Sequence, residues 1–449
     1  MNLSIKEINT HLNAFEVYSI FKNEKDTILL DSSNDDEKLS RYSFVGINPF
    51  LKFKAVGNEI NIGNMKIQGD PFIELDKLIK KYSISYESDI PFLCGCIGYF
   101  SYDIGKVIEK IPDTSKEDFK IPDAYFIFYD NLIVFDLINN KTYITSLGIL
   151  EEGEKSINFI EEKIEKGSKI EEKMFESENT KFYSNFDEEQ YIKTVAKVRE
   201  YIRNGDIYIT NLTQRLWCYN EKNSFDIYKK LRTINKAPFS AFLNLDDFSI
   251  MSSSPERFMS IRNGKVQTRP IKGTRPRGNT KEEDEKYKKE LMNSEKDKAE
   301  LLMIVDLERN DLSKVCKKHS VKVSELFKLE KYATVFHLVS TVEGELREDV
   351  SPVQCIRECF PGGSITGAPK IRSMEIIEEL EGLKRNLYTG SIGYFDLRGN
   401  ADFNIVIRTI VKKNDKCYLG VGGGITYDSI EKMEYDETID KAKALMRVL

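Results

Sequence analysis

Between residues 26 and 60 apolar and polar side chains alternate, as in DTILLDSS, RYSFVGI and LKFKAV, with Asp, Asn and Gly between the runs. Period two marks a chain with one face buried, so this stretch predicts successive β-strands separated by turns. The period lengthens in PFIELDKLIKKY, residues 71–82, where apolar positions recur at helical spacing behind a proline, predicting a helix packed on sheet. AYFIFYDNLIVFD reads as a strand pair joined at Asp130-Asn131, with a further hairpin through Asn139-Asn140.

From 150 to 180 the chain turns lysine- and glutamate-rich, which reads as a helix and a linker between lobes. The expected division is therefore 1–150, a connecting segment 151–185, and 186–449. The second lobe opens with an amphipathic helix capped by Asp187 and ended by Gly205, then a strand in IYITNLTQRL. A helix over 225–235, strands in SAFLNL and FSIMSSS, a loop around Lys272 and one charged helix from 281 to about 309 follow. Strands at 321–330 and 333–345, helices near 352–359 and 369–381, strands in SIGYFDL, FNIVIRTI and CYLGVGGG and a terminal helix complete the chain. Strands so often follow strands that the class is antiparallel α+β.

Composition narrows the function. A chain of 449 residues exceeds one ordinary compact core, and 67 basic against 73 acidic residues leave a net charge of −6 with no long block of one sign. Neither a nucleic-acid nor a membrane partner has support, so a small molecule is expected. MNLSIKEINTHLNAFE lacks the features of a secretory signal, which predicts a cytoplasmic protein. The seven cysteines are scattered in apolar surroundings, as reduced core thiols would be. Cys94 and Cys96 lack a histidine base in reach of sequence, the chain having only His11, His319 and His337.

RPIKGTRPRG, 269–278, sets Lys272 among Arg269, Arg275 and Arg277. Crowded cations favour a neutral amine, which makes Lys272 a candidate nucleophile; the alternative is a solvated basic loop. In PGGSITGAPK, Gly362 and Gly367 have phosphate-loop spacing, but Ala-Pro-Lys replaces the Lys-Ser/Thr pair that a nucleotide site needs. The loop before Pro369 is either a carboxylate site at a helix N-terminus, with Lys370 adding charge, or a plain cap. Asp297 with Glu300, and Glu434 with Glu437, are carboxylates three apart on predicted helices. Each pair is either a solvated face or one side of a magnesium site, with Glu300 and Glu437 as inner ligands. Arg408 within an apolar strand asks for an anion, and Gly422, Gly423 and Gly424 let backbone approach a ligand. Glu256 and His337 are the available proton carriers, Glu256 the stronger candidate and His337 alternatively a satisfied structural residue of its strand.

The segments SSSPERF, RPIKGTRPRG, AELLMIVDLERNDL, FHLVSTVEG, FPGGSITGAPKIRSMEIIEELE, YTGSIGYFDLRGNADFNIVIRT, GVGGGI and YDETIDKAKA resemble the chorismate-utilising enzyme family over essentially all of 186–449. ILLDSS, RYSFVG and GYFSYDIG carry a looser likeness in the N-terminal half. Within the family, lysine in PIKGT is similar to the aminodeoxychorismate synthases, where anthranilate synthases typically carry alanine.

The resemblance implies two antiparallel sheets packed as a sandwich with outer helices, binding chorismate and magnesium between them. It implies Glu300 and Glu437 as magnesium ligands with Asp297 and Glu434 behind them. Arg408, Tyr388 and Gly422 to Gly424 would take the enolpyruvyl carboxylate, and Ser364, Thr366 and His337 would line the ring. Lys272 would attack C2 of chorismate with Glu256 as general acid, and a partner glutamine amidotransferase would supply ammonia. Anthranilate synthesis and a non-catalytic ligand-binding relative are the alternatives. Asp31, Ser32, Ser40, Arg41 and Tyr42 match the place where family members bind tryptophan.

Overall fold

The computed structural model describes residues 2–33, 39–170, 180–332 and 335–449. Two long strands, Tyr42–Val56 and Ala124–Asp136, pair along most of their length and belong to both halves of a sandwich. On one side antiparallel pairing runs through Ile28–Asp31, Phe239–Asn244, Phe248–Ser254, Thr409–Lys413 and Lys416–Ile425 to Ile209–Tyr219. On the other it runs through Gly95–Phe100, Ser391–Asp396, Ala401–Asn404, Arg257–Arg262 and Lys265–Arg269 to Val335–Glu345. The last of these also pairs with Ile271–Pro276 and Lys322–Lys331.

Alternation along Ala124–Asp136 shows how one strand serves two layers. Tyr125, Ile127 and Tyr129 point into the space between the sheets, while Ala124, Phe126 and Phe128 face an outer core under helices. Beyond the bend the parity reverses: Leu132 and Val134 point inward, and Ile133 and Phe135 reach a second outer core. Next to the reversal the partner strand carries an extra residue, its register shifting between Pro49 and Leu51 opposite Tyr129 and Phe128. Gly46 is required nearby, because a Cβ there would come 2.7 Å from the Tyr129 ring. All thirteen positions of this strand are buried, so its sequence shows an apolar run and no clean alternation.

Helices Pro71–Lys81, Lys281–Asn293, Glu295–Val315 and Pro352–Cys359 cover one outer face, through Phe72, Leu75, Leu291, Leu301, Val305 and Ile356. Ala14–Phe21, Gly153–Glu165, Ser224–Ile234 and Glu431–Met446 cover the other. This is the expected α+β sandwich with outer helices. No helix among the described residues is long and apolar enough to cross a membrane.

Several local expectations change. Ala124–Asp136 is one continuous strand with no turn at Asp130-Asn131. The Asp130 carboxylate instead accepts the Ile149 and Leu150 amides, and Asn131 bonds Asn48 and the Thr145 carbonyl. Without glycine, the Asp-Asn pair does not enforce the positive φ that a tight hairpin needs. RYSFVGI and LKFKAV are likewise one strand. The charged helix over 281–309 is two, because Ser294 ends Lys281–Asn293 and caps Glu295–Val315 through the Asp297 amide. The sequence around Lys272 is strand, not loop. Part of the expected linker, 171–179, lies outside the described residues.

Candidate active site

The strand Ile271–Pro276 brings Lys272 to the glycine-rich strand Lys416–Ile425. A register shift between Lys272 and Thr274 puts Gly273 at φ +75°, and a Cβ there would lie 2.8 Å from Leu291 and 2.9 Å from Asp297. Glycine thus permits the bulge that aims the lysine. The Lys272 amine donates to the Ser364 carbonyl at 3.2 Å, and a Cβ on Gly424 would sit 3.5 Å from its Nζ. The three arginines do not crowd it, contrary to the sequence expectation. Arg269 pairs with Glu330, Arg275 with Glu290 and Asp297, and Arg277 with Asp284. The charges that reach Lys272 are the carboxylates of Glu256, Glu300 and Glu437.

Glu256 is buried between two strands, its backbone carbonyl held by the Ile405 amide and its Oε1 facing the Ile271 amide at 3.4 Å. Burial raises its pKa, and the Ser364 hydroxyl and Lys272 only partly offset that. That direction makes it easier for the carboxyl to carry a proton for a leaving group.

The acidic pairs meet from two helices. Burial raises the pKa of Glu300, with Asp297 and Glu434 adding to it and Lys272 and Lys296 opposing. Glu434 is raised by burial and by Glu437, against a hydrogen bond at Ser429. Burial would raise Glu437 too, but Lys441, 2.7 Å away, takes it below the ordinary range. Asp297 is tied to Arg275 at 3.1 Å, which favours a supporting place over direct coordination. Among the described residues no three His, Cys, Asp or Glu side chains form a ready-made cage. Magnesium does not need one, since it commonly takes one or two carboxylates and fills its octahedron with water and substrate oxygen. The residues fit such an ion: a Cβ on Gly423 would lie 3.4 Å from a Glu434 oxygen and 3.7 Å from a Glu437 oxygen, so glycine leaves space in front of both.

Arg408 is not inside a strand. The run FNIVIRTI breaks after Asn404 and resumes at Thr409, and Arg408 itself adopts φ +52°. Its guanidinium has no ion-pair or hydrogen-bond partner among the described residues, and burial lowers its pKa while Tyr388 opposes. His337, whose Nδ1 lies 2.9 Å from the Thr274 hydroxyl, is pushed down to about 4 by burial and then by Arg408. It is therefore neutral at pH 7 and suits hydrogen bonding better than proton delivery. The Tyr388 ring occupies the space that a Cβ on Gly420 would need.

Two residues expected at the ligand have other work. The Thr366 hydroxyl is fully buried and donates to the Gly362 carbonyl at 2.9 Å, so it shapes the loop. Lys370 is committed to Asp311 and to the Cys359 carbonyl, tying the start of Lys370–Glu381 to Glu295–Val315. Burial made those partners necessary, and a sequence reading could not see them. Ser364 stays at the site, with its carbonyl to Lys272 and its hydroxyl to Glu256. Sequence reasoning passed over Lys441, four residues after Glu437, which also donates to the Gly422 carbonyl at 2.9 Å. It passed over Arg385 as well, whose buried pair with Glu381 also grips the Ile365 and Asn211 carbonyls.

A separate cavity of about 490 Å³ lies between the sheets, lined by Ser32, Tyr42, Phe44, Pro238, Tyr394 and Asn404 among others. Asp31 lines it as well, with its carboxylate held by Arg232 and Tyr228. Arg41 is turned to Asp136 at 2.8 Å. Ser32 donates to the Tyr42 carbonyl, and the buried Ser40 hydroxyl has no partner among the described residues.

Residues 25–447 match the family described as chorismate binding enzyme. The chain is 37% identical to anthranilate synthase component 1 of Acetivibrio thermocellus, over 100% of this chain and 97% of the relative. It is 39% identical to aminodeoxychorismate synthase component 1 of Escherichia coli (strain K12), over 94% and 93%. The crystal structure of anthranilate synthase component I from Streptococcus pneumoniae TIGR4 superposes with a TM-score of 0.83 at 33% identity, covering 91% of this chain and 92% of that one. The protein belongs to the chorismate-binding enzyme family and acts on chorismate.

Proposed function

We propose that the chain is an aminodeoxychorismate synthase component I, which turns chorismate and ammonia into 4-amino-4-deoxychorismate. One observation carries the reading: a bulged strand delivers the Lys272 amine to a point shared with Glu256 and Ser364. Relatives bearing the anthranilate synthase name match about as well, at 37% against 39%, so product identity is the discriminating observation.

In the proposed reaction the Lys272 nitrogen bonds to C2, the ring double bonds shift, and the C4–O bond breaks. Glu256 gives its proton to the departing hydroxyl, which leaves as water. Ammonia then bonds to C4, the C2–N bond breaks, and the lysine amine is released while the new C4 ammonium returns a proton to Glu256. Both steps require the substrate ring to be held, and Arg408, with Tyr388 and His337, offers donors for its carboxylate. Glu300 and Glu437 would hold magnesium, with Glu434 and Asp297 behind them; when bound, the ion would offset charge on a substrate carboxylate. Ammonia would come from a glutamine amidotransferase partner. Tryptophan is the ligand that the family likeness of the surrounding residues suggests for the cavity of about 490 Å³.

The test is mass identification of the product from chorismate, ammonia and magnesium. A product that retains the enolpyruvyl side chain and gains nitrogen at C4 supports the reading, whereas anthranilate overturns it. Denaturing the enzyme with chorismate but no ammonia should leave a mass increment on the peptide containing Lys272.

A further inference from the structure

We propose that Glu308 is a positioning residue for this reaction: from the buried face of the helix Glu295–Val315 it grips the Gly363 amide and so fixes the loop against which Lys272 and Glu256 are set. The proposal rests on the reading that those two residues carry the chemistry.

Glu308 is 4% exposed, and each of its oxygens is engaged. Oε1 accepts the Gly363 amide at 3.3 Å and Oε2 accepts the Thr268 hydroxyl at 3.1 Å. The contact is close: a Cβ on Gly363 would come 2.7 Å from Leu307 and 3.2 Å from Glu308 Oε1. The next residue along the loop is Ser364, whose carbonyl receives the Lys272 amine and whose hydroxyl bonds Glu256. One residue therefore separates the anchor from the nucleophile and the acid.

A carboxyl in this position is expensive for the fold. The groups that face it are Asp311 on its own helix, Glu256 from the strand side, Thr268, the Gly363 amide, and Lys370 from the helix Lys370–Glu381. Two of these are acids, and Lys370 is already paired with Asp311. An apolar side chain of similar size would pack there without that cost, so packing alone does not account for a glutamate. Burial first, and Asp311 next, push its pKa up to about 7. Ionised, it holds two charge-assisted bonds; protonated, it holds them weakly, so turnover should decline as pH falls through neutrality.

The experiment compares Glu308→Leu and Glu308→Gln with wild type, following chorismate consumption with ammonia and magnesium whichever product forms. Glu308→Leu should lower kcat by about tenfold or more, with KM for chorismate changed by less than about threefold. Glu308→Gln keeps an acceptor for the Gly363 amide, so it should recover activity to within a few-fold, and its kcat, taken at saturating free ammonia at each pH so that protonation of ammonia drops out, should lose the acid limb near pH 7 expected of wild type. A folded Glu308→Leu variant with full kcat overturns the proposal, as does an acid limb that survives in Glu308→Gln. If Glu308→Leu does not fold, the pH profile of Glu308→Gln decides alone. Should the product prove to be anthranilate, the functional reading falls while the positioning result stands independently.

Discussion

Glu300 and Glu437 reach one region from different helices, yet their surroundings move their protons in opposite directions. Burial, with Asp297 and Glu434, raises the pKa of Glu300, whereas Lys441 lowers that of Glu437. A divalent cation bound as proposed would resolve this, since it favours the carboxylate form of every acid around it. Glu300→Gln and Glu437→Gln should each cut turnover at limiting magnesium by more than about tenfold, and Glu434→Gln by less. Titration calorimetry with magnesium alone should show the same ranking; full activity in both of the first two variants would remove the metal assignment. At this scale the sequence revealed residue types better than surroundings. Lys272 stands among arginines in the sequence, but strand geometry and the Gly273 bulge send those arginines to Glu330, Glu290 and Asp284. Glu308 was legible in principle, as an acid among the buried positions Ile304, Val305 and Leu312 of its helix.

Among the elements, the strand Lys416–Ile425 was readable as a strand from CYLGVGGG, and its glycines turn out to do distinct work. Gly423 leaves room before the acidic pair, Gly424 before Lys272, and Gly420 before Tyr388. Helices were legible where caps and periodicity agree, as with Asp187 before Glu188–Arg203 and Pro71 opening its helix. Continuous buried strands were not, because Ala124–Asp136 lacks period two and its Asp-Asn pair reads as a turn, and a break such as Ser294 costs a charged helix little visible pattern. Gly420→Ala tests the strand's part in the site. The added methyl has no space while Tyr388 holds its position, so the ring must move and the donors around Arg408 lose their arrangement. KM for chorismate should rise by about fivefold or more, with some fall in melting temperature because displacing an enclosed ring also costs packing. An unchanged KM would mean that Tyr388 takes no part in holding substrate.

For the molecule as a whole, the sandwich brings the two ends of one pairing network together: Ile271–Pro276 at the far end of one sheet meets Lys416–Ile425 near the far end of the other. The site is thus assembled from residues more than a hundred positions apart, which the order of motifs signalled and periodicity alone did not. That assembly brings together an amine, a buried carboxyl and a cluster of carboxylates, but none of it suits amide hydrolysis. Cys94 and Cys96 are buried with their thiol pKa values raised by burial, the opposite of what a thiolate nucleophile needs. His337 is engaged with Thr274 near Lys272, and burial holds it neutral. With glutamine as the sole nitrogen source the isolated chain should therefore form no aminated product, while ammonium salts should support turnover. Because free ammonia is the reactive species in that assay, the rate should climb with pH toward the pKa of ammonium. Adding a glutamine amidotransferase subunit should restore glutamine-dependent turnover and flatten that climb, since ammonia then arrives without equilibrating with solvent. Glutamine-dependent product from the pure chain would overturn the requirement for a partner, and an amidotransferase mixture whose rate still tracked bulk ammonia would mean that the two chains do not pass it directly.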